Sequence, residues 1–330
     1  MTEVKETTRT VLLRRAAKQA RLASSVHNTQ PWRMVIRPDS LELYADRERQ
    51  LAALDPTGRQ LLVSCGCALL NARVVLAAAE QRVGIDRFPD PSQPDLIARI
   101  NLFDGGEPWT PLARLKPQLD RRRTNRREFL PEEVPPQVIY EMANAAAAED
   151  AELFIIASDE QRRITAELSQ QAEREQWTSP AYRAELRTWT TDDLTRDDGV
   201  PAMAVPHVAA GSGVEMPMRD FDTRGNAWLP QVPEASHDQC LLLLGVREDS
   251  PRGWLRAGEA LERLWLEATR FDHVASMLTQ VVEVAETREQ LRDRLGLQMY
   301  PMVLLRVGRA PLTPATRRRP YNAVITEADS

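Results

Sequence analysis

Residues Ser24–Trp32 read S-S-V-H-N-T-Q-P-W, and this stretch is the most informative part of the chain. It joins an amphipathic segment, residues 7–23, to an apolar segment that begins at Trp32. Its hydroxyl and amide groups offer several hydrogen-bond donors and acceptors in a small space, as a heteroaromatic ligand with alternating polar edges requires. An ordinary capped turn between a helix and a strand has a similar composition, so composition alone leaves both interpretations open.

Around this loop, hydrophobic periodicity predicts a mixture of helices and strands. The predicted helices cover residues 7–23, 57–81, 137–148, 160–176 and 253–270, and the predicted strands cover residues 32–37, 41–44, 97–103, 152–157, 240–246 and 302–307. Each of the two long apolar helices contains a G-x-A-L pattern, which begins at Gly66 and at Gly258. This weak repeat is compatible with a duplicated unit and with two unrelated helices.

A second polar stretch, residues 121–129, reads R-R-R-T-N-R-R-E-F and follows a linker rich in Gly and Pro. A dianionic phosphate is bound well by forked, permanently charged guanidinium groups together with a short hydroxyl, which Arg and Thr supply. The chain has forty arginines and only three lysines. A solvated basic linker in so arginine-rich a chain would look the same, so both interpretations stay open here too.

The two stretches together resemble the FMN-dependent nitroreductase superfamily. Residues 24–32 resemble its S-x-x-N-x-Q-P-W signature, and the form with His before Asn resembles the Acg-like branch of long, duplicated chains. The Arg run is similar to the R-R-S-x-R start of these proteins, with Thr124 in place of Ser. The family often has Pro where Ser24 stands, and one extra residue before Phe129 leaves the register between Arg126 and Arg127 open.

The resemblance implies an α+β, nitroreductase-like fold. Two fused half-repeats would mimic a nitroreductase dimer, with an antiparallel-dominated sheet and long central helices. Residues 1–112 would form the first half, which carries the flavin loop, and residues 113–330 the second half, which carries the Arg-rich element. In the family's homodimers these two elements come from different subunits. The resemblance therefore implies a shared core, one FMN per chain and a monomer.

The same resemblance assigns roles to residues. Arg122 and Thr124 fall at phosphate-contacting positions and Arg126 at the ring-contacting position. Ser276 and Met277 would lie beside the ring edge, and Arg318 in a C-terminal basic element near the phosphate, where a charged tail is an equally good interpretation. The candidate FMN-binding residues are Ser24, Ser25, His27, Asn28, Gln30, Arg122, Arg123, Thr124, Arg126, Ser276, Met277 and Arg318. No side chain is predicted to be catalytic, because the flavin itself supplies the chemistry.

Residues 191–237 are unusual in having five prolines, little periodicity and several large apolar residues, among them Met203, Phe221 and Trp228. So long a segment without regular structure is usually functional or disordered, and this one is too apolar for a linker. We expect it to pack over something, as a lid would.

Three functions compete at this stage. The first is an oxidoreductase in which FMN takes hydride from NAD(P)H and reduces nitroaromatic or quinone-type acceptors. The second is storage or sequestration of FMN beneath the lid, with little or no turnover. The third is a structural protein without flavin, whose Arg run binds an acidic partner.

Other classes are disfavoured. The net charge is only −5 and acidic residues are interspersed throughout, so no nucleic-acid-binding stripe is expected. The sequence has no uninterrupted apolar run of 18 residues and no apolar region among its first thirty, which favours a cytoplasmic protein without a membrane span. Cys65, Cys67 and Cys240 are expected to be free thiols, and no histidine makes a zinc-type spacing with them. No G-x-G-x-x-G follows a strand, and no Walker sequence or Ser/His/Asp triad is found.

Overall fold

The computed structural model of the chain describes residues 2–107, 110–191, 193, 195–201, 219, 221 and 240–328, with side chains from residue 8 onward. Its helices are α1 (Thr2–Ala20), α2 (Arg59–Ala78), α3 (Pro136–Ala147), α4 (Asp159–Thr178), α5 (Pro180–Trp189), α6 (Pro251–Arg270), α7 (Gln280–Glu283), α8 (Ala285–Arg294) and α9 (Tyr321–Val324). Its strands are β1 (Trp32–Ile36), β2 (Ser40–Ala45), β3 (Arg82–Arg87), β4 (Leu96–Phe103), β5 (Ala151–Ile156), β6 (Thr190–Thr191), β7 (Val200–Pro201), β8 (Cys240–Val246), β9 (Val274–Met277), β10 (Tyr300–Gly308) and β11 (Ile325–Glu327). Every predicted helix and strand is present, with its ends shifted by a few residues.

The first sheet has the strand order β11-β1-β2-β4-β3. Strands β1 and β2 form the predicted hairpin, paired from Trp32 with Ala45 to Ile36 with Leu41. All neighbours are antiparallel except β11, which runs parallel to β1 and pairs Ile325 with Met34. The last strand of the sequence is thus built into the sheet of the first half.

The second sheet has the order β5-β8-β10-β9, and all its neighbouring strands are antiparallel. Strands β8 and β10 are almost completely buried, which explains their continuous runs of apolar residues. Strands β9 and β3 were not predicted, because neither presents a clear alternation of apolar and polar residues. The α+β class with antiparallel-dominated sheets is confirmed.

Helices α2 and α6 are the long central helices, and they pack against each other at two glycines. A Cβ atom added at Gly66 would lie 2.1 Å from the carbonyl oxygen of Leu255, and one added at Gly258 would lie 2.0 Å from that of Val63. Any side chain at either position would therefore force the two helix backbones apart. The G-x-A-L patterns mark the point where the central helices touch.

Helix α2 is long and apolar enough to cross a membrane by length and composition, with a mean hydropathy of 1.9 over an 18-residue window in spite of Asn71 and Arg73. However, 94% of that window is buried inside the protein. Its apolar composition is explained by packing in the core, where it includes the buried free thiols of Cys65 and Cys67. The prediction of free cysteines is confirmed.

Residues 191–237, predicted as a lid, are described only at Thr191, Asp193, residues 195–201, Arg219 and Phe221, and the rest lie outside the described residues. The described parts include the short strands β6 and β7. Phe221 is buried in a small apolar cluster with Leu51, Leu54, Tyr182, Leu186 and Val200. This cluster borders the site described next.

Candidate functional site

Two adjoining cavities lie between the loop of residues 24–32 and the Arg-rich element. The deep chamber, of about 100 Å³, is lined by Ser24, Ser25, Val26, His27, Gln60, Val63, Ser64, Cys67, Thr124, Arg126, Arg219, Phe221, Leu261, Ser276, Met277, Leu278, Thr279, Glu283 and Val303. The polar chamber, of about 60 Å³, is lined by Ser24, Ser25, Asn28, Arg122, Arg123, Thr124, Arg126, Gly199, Val200, Thr313, Pro314, Thr316 and Arg318. Every predicted site residue except Gln30 lines at least one chamber. Ser24, Ser25, Thr124 and Arg126 line both.

The loop has an unusual backbone. His27, Asn28 and Gln30 have positive φ angles of 46°, 56° and 50°, a region that residues with a Cβ atom rarely adopt. Hydrogen bonds hold it in place, from the Val26 N–H to Ser64 Oγ and from the Gln30 N–H to Ser25 Oγ. Such backbone strain is concentrated at functional sites, where the surrounding structure enforces it.

The amide side chains of the loop hold two other segments of the chain. Asn28 Nδ2 donates to the carbonyl oxygens of Gly199 and Arg317, at 3.0 and 3.2 Å. Gln30 is completely buried; its Nε2 donates to the carbonyl oxygen of Asp197, and its Oε1 accepts from the N–H of Arg319. The loop therefore fixes the position of residues 197–199 and 317–319 around the polar chamber.

His27 lies at the inner wall of the deep chamber. Its ring is buried, and Nε2 lies 3.0 Å from Nη1 of Arg219, while Nδ1 has no hydrogen-bond partner among the described residues. Burial, and then the positive charges of Arg219 and Arg126, hold the pKa of His27 well below its usual range. The imidazole is neutral at physiological pH.

The Arg-rich element lies against the edge strand β9. Thr124 forms a parallel bridge with Ala275, and the N–H of Asn125 donates to the carbonyl oxygen of Ala275. The bridge brings Thr124 next to the predicted ring-edge residues Ser276 and Met277. Two segments far apart in the sequence thus meet at the boundary of the two chambers.

Arg126 and Arg127 point to different surroundings. Arg126 lines both chambers and stacks over Phe221 at 5.3 Å, whereas Arg127 is exposed. Burial, assisted by the charge of Arg219, lowers the pKa of Arg126 to about 10. The carbonyl oxygen of Arg127 accepts a hydrogen bond from the buried Arg306. Of the two register alternatives, the structure therefore places Arg126 in the cavities and Arg127 outside them.

Four arginines line the polar chamber: Arg122, Arg123, Arg126 and Arg318. Arg122 Nε lies 2.9 Å from Oε1 of the fully buried Glu262. Burial and the charge of Arg122 lower the pKa of Arg318 to about 9, and the same two causes lower that of Arg123. Arg318 Nε is buried and has no hydrogen-bond partner in the part of the chain that the structure describes. A depressed arginine pKa signals positive charge without enough compensation, which a bound anion would supply.

Several residues that line the deep chamber were not predicted, above all Arg219 and Glu283. Arg219 donates to both carboxylate oxygens of Glu283 at 2.6 Å and to the hydroxyl of Tyr182 at 2.8 Å. A lone arginine among forty gives no sequence signal. Its neighbour Phe221 was noted only as part of an apolar segment. Among the described residues, no group of three His, Cys, Asp or Glu side chains could hold a metal ion.

No family model matches the chain. It is 36% identical over 329 residues to the curated protein named "Putative NAD(P)H nitroreductase Rv3131" of Mycobacterium tuberculosis, an alignment that covers 97% of this chain and 91% of that protein. It is 32% identical over 324 residues to "Putative NAD(P)H nitroreductase acg" of the same organism, covering 96% and 95% of the two chains.

Solved structures with detectable similarity include a BluB-like flavoprotein from Clostridium difficile 630, with a TM-score of 0.42, 13% identity and coverage of 65% of this chain and 99% of that one. Another is a nitroreductase with bound FMN from Bacteroides fragilis, with a TM-score of 0.38, 12% identity and coverage of 62% and 94%. At such scores the family assignment depends on the sequence relatives alone. Because two curated nitroreductases are at least 32% identical to the chain over nearly its whole length, the chain belongs to the nitroreductase family, in its Acg-like branch.

Proposed function

We propose that the protein binds one FMN and transfers electrons from NAD(P)H to nitroaromatic or quinone-type acceptors. The FMN phosphate would occupy the polar chamber, and the isoalloxazine ring would occupy the deep chamber. The observation that carries the proposal is the surplus of guanidinium groups in a chamber that opens directly into an apolar one. Related curated proteins carry the name NAD(P)H nitroreductase, and similar solved structures contain FMN.

The polar chamber fits a phosphate dianion. Arg122, Arg123 and Arg318 offer charged donors, while the hydroxyl of Thr124 lies at the same wall. Among the residues lining this chamber in the described part of the chain there is no carboxylate, and Glu262 behind it is already 2.9 Å from Arg122. A bound phosphate would compensate the positive charges of the arginines that line this chamber.

The deep chamber fits a flavin ring. Val63, Leu261 and Val303 supply apolar surface for the faces of the ring, and the serines and Thr124 supply polar contacts for its edges. β9 is the edge strand of its sheet, so the main-chain groups of Ser276 and Met277 are well placed for the ring edge. Arg126 lies at the junction, where its charge would stabilise negative charge that develops at flavin N1 and O2 on reduction.

When bound, FMN supplies the hydride and electron transfer, and the chain supplies position and electrostatics. Because a guanidinium group only donates, Nε2 of the neutral His27 accepts from Arg219, so Nδ1 carries the proton and can donate to a ligand. Nδ1 has no partner within the described part of the chain. Residues 24–30 come from the first half, and the Arg-rich element and β9 from the second. We therefore also propose that residues 1–112 and 113–330 share one core and that the chain acts as a cytoplasmic monomer.

A second candidate, FMN storage with little turnover, is favoured by what surrounds the chambers. Arg219 and Phe221 line the deep chamber, and Gly199 and Val200 line the polar one. All four belong to the segment predicted as a lid. A ring enclosed in this way would leave little space for a nicotinamide to stack on it.

The visible spectrum of the purified protein, recorded before and after anaerobic addition of NADH or NADPH, separates these candidates. A yellow protein that bleaches within seconds to minutes supports the oxidoreductase. A yellow protein that stays oxidised supports storage. A colourless protein that cannot be reconstituted with FMN would contradict both and return attention to an acidic partner of the Arg run.

A further inference from the structure

The two halves of the chain have the same order of elements and strands. The first runs α1-β1-β2-α2-β3-β4 and the second α3-β5-β8-α6-β9-β10, with α4, α5, β6 and β7 inserted after β5 and with α7 and α8 inserted after β9. Within the sheets the orders β1-β2-β4-β3 and β5-β8-β10-β9 correspond strand by strand, and all these pairs are antiparallel. The contact between Gly66 and Gly258 is reciprocal, because each glycine faces the backbone three residues before the other. An approximate twofold axis through this contact would relate the halves in this way.

The correspondence extends to individual residues. Glu80 and Asp272, each fourteen residues after its glycine, both have positive φ angles, of 53° and 57°. The next residue in each half closes the helix with the same bond, from Gln81 to the carbonyl of Leu76 and from His273 to that of Ala268. The helices and the strands after them can therefore be compared position by position.

Positions that line the deep chamber carry very different residues in their counterparts. Two residues before the glycine, Ser64 corresponds to Arg256, and one residue after it, Cys67 corresponds to Glu259. Seven residues after the positive-φ position, Thr279 corresponds to Arg87. Small side chains border the deep chamber, which is the first cleft. Long charged side chains stand at the equivalent positions of the other half, which we call the second cleft.

These charged side chains fill the second cleft with a paired network. Glu259 is fully buried and accepts from Arg87 Nε and Nη2 at 2.7 and 2.8 Å and from Arg73 at 2.6 Å. Glu149, also fully buried, accepts from Arg73 and Arg263, both at 2.7 Å. Each carboxylate is contacted by at least two arginines, so long, paired side chains occupy the positions whose counterparts border the deep chamber.

The second cleft also lacks a loop. Helices α1 and α3 end in the same way, with N–H groups of Leu22 and Glu149 donating three residues back to Gln19 and Ala146. After α1 the chain makes the loop before β1 begins at Trp32, whereas after α3 strand β5 begins at Ala151 almost at once. The loop of residues 24–31 therefore has no equivalent in the second half.

We propose that Arg87, Arg256 and Glu259 are specificity-determining residues that occupy the counterpart of the deep chamber and restrict the chain to one ligand. The proposal rests on the proposed function, since it takes flavin as the ligand of the first cleft. It assigns a role to a buried ion-pair network that lies outside the chambers.

The test replaces the three residues by their counterparts, as R87T/R256S/E259C. The probe is lumiflavin, the flavin ring without ribityl phosphate, because the second cleft has no Arg-rich element. Holoprotein saturated with FMN is titrated by equilibrium dialysis. We expect close to one bound lumiflavin per chain in the variant and close to none in the wild type. The matched control is R114T/R270S/E267C, which breaks the ion pairs of another buried glutamate on α6 and should bind none.

A folded triple variant that holds one FMN but binds no more lumiflavin than the wild type overturns the proposal. If the triple variant does not fold, Arg87→Thr alone decides, because it removes only the bidentate partner of Glu259. Lumiflavin should then raise the melting temperature of the Arg87→Thr holoprotein by a few degrees and leave the wild type unchanged; no shift in either would overturn the proposal. Failure of the proposed function is seen separately, as a wild type that binds no FMN.

Discussion

Arg122 and Glu262 form an almost completely buried pair, with Nε and Oε1 2.9 Å apart and side-chain exposures of 3% and 0%. The same guanidinium group lies 4.6 Å from the centre of the Trp265 ring. Arg122 is therefore held in position before any phosphate binds, and its single positive charge already faces a carboxylate. This pair fixes the inner wall of the polar chamber, and several predictions concern it.

Removing the carboxylate should affect the free protein more than the loaded one. In Glu262→Gln, Arg122 loses its partner, and breaking a buried pair costs on the order of 3 kcal/mol. Bound FMN would replace part of the lost charge, so denaturant unfolding should show a smaller loss in stability with FMN than without it. Glu267→Gln, which breaks ion pairs remote from the chambers, should lose the same stability with FMN as without it. Equal losses for Glu262→Gln would contradict the placement of the phosphate.

Removing the arginine should weaken FMN binding selectively. Arg122→Ala loses a charge-assisted contact, so we expect the binding free energy of FMN to weaken by about 1.5–3 kcal/mol. The dissociation constant of FMN measures this loss. Riboflavin, which has no phosphate, should bind the wild type and the variant with similar affinity. Arg121→Ala is the control, because Arg121 is exposed and pairs with Asp272. If FMN affinity is unchanged in Arg122→Ala, Arg122 does not contact the phosphate.

Arg126 should influence the flavin's reduction potential. In Arg126→Gln the charge near N1 and O2 is lost, which we expect to destabilise the reduced flavin by about 1.5–3 kcal/mol. For a two-electron couple this corresponds to a reduction potential lower by roughly 30–60 mV. The measurement is a spectroscopic redox titration against a reference dye. Arg127→Gln, one residue further along and exposed, should leave the potential unchanged. The opposite pattern would show that the register between the two arginines is wrong.

Residues 195–201 should slow the release of FMN. Arg49 and Arg196 both pair with Asp198, which fixes this segment beside the loop. In Asp198→Asn we expect FMN to dissociate several-fold faster, as followed by the recovery of flavin fluorescence after dilution. Asp193→Asn is the control in the same segment, since Asp193 accepts only from Thr195 among the described contacts. Identical release rates for both variants would mean that the segment does not retain the ligand.

Asp55 should make stability depend on pH. It is buried before α2, where its carboxylate accepts from the N–H of Leu61 at 2.8 Å, and burial raises its pKa to about 6. The folded state binds the proton of the Asp55 carboxyl group more tightly than the unfolded state does. Asp55 therefore contributes most to the free energy of unfolding below about pH 4. This contribution falls as the pH rises through 6, by at most about 3 kcal/mol. The difference in unfolding free energy between wild type and Asp55→Asn should follow that course between pH 4 and 7. A constant difference would show that Asp55 has an ordinary pKa.

Much of the fold was predictable because its elements carry strong local patterns. The hairpin of β1 and β2 alternates apolar and polar residues, α2 is long and apolar, and α6 is long with apolar residues at helical spacing. By contrast, α8 is highly charged and is fixed in place largely by the buried Leu291, which is too little for a periodic signal. Strand β9 has only four residues, and its role depends on the partner Thr124, which no local pattern reveals.

Only those parts of the candidate site that lie within a short motif could be predicted from the sequence. The loop and the Arg-rich element were identified through their resemblance to the family's motifs, and both line the chambers. The side chain of Gln30 was predicted to contact the ligand, but it instead holds main-chain groups of Asp197 and Arg319. Main-chain carbonyl groups look alike in every sequence, so such contacts are invisible until distant segments are placed together. The same holds for Arg219, whose partner Glu283 is 64 residues away.

The walls of the polar chamber come from widely separated parts of the chain, from Ser24 near one end of the sequence to Arg318 near the other. Nothing synthesised before Arg318 can present the whole binding surface. Cofactor capture is therefore a late event in the life of each molecule, which follows translation and docking of the two central helices.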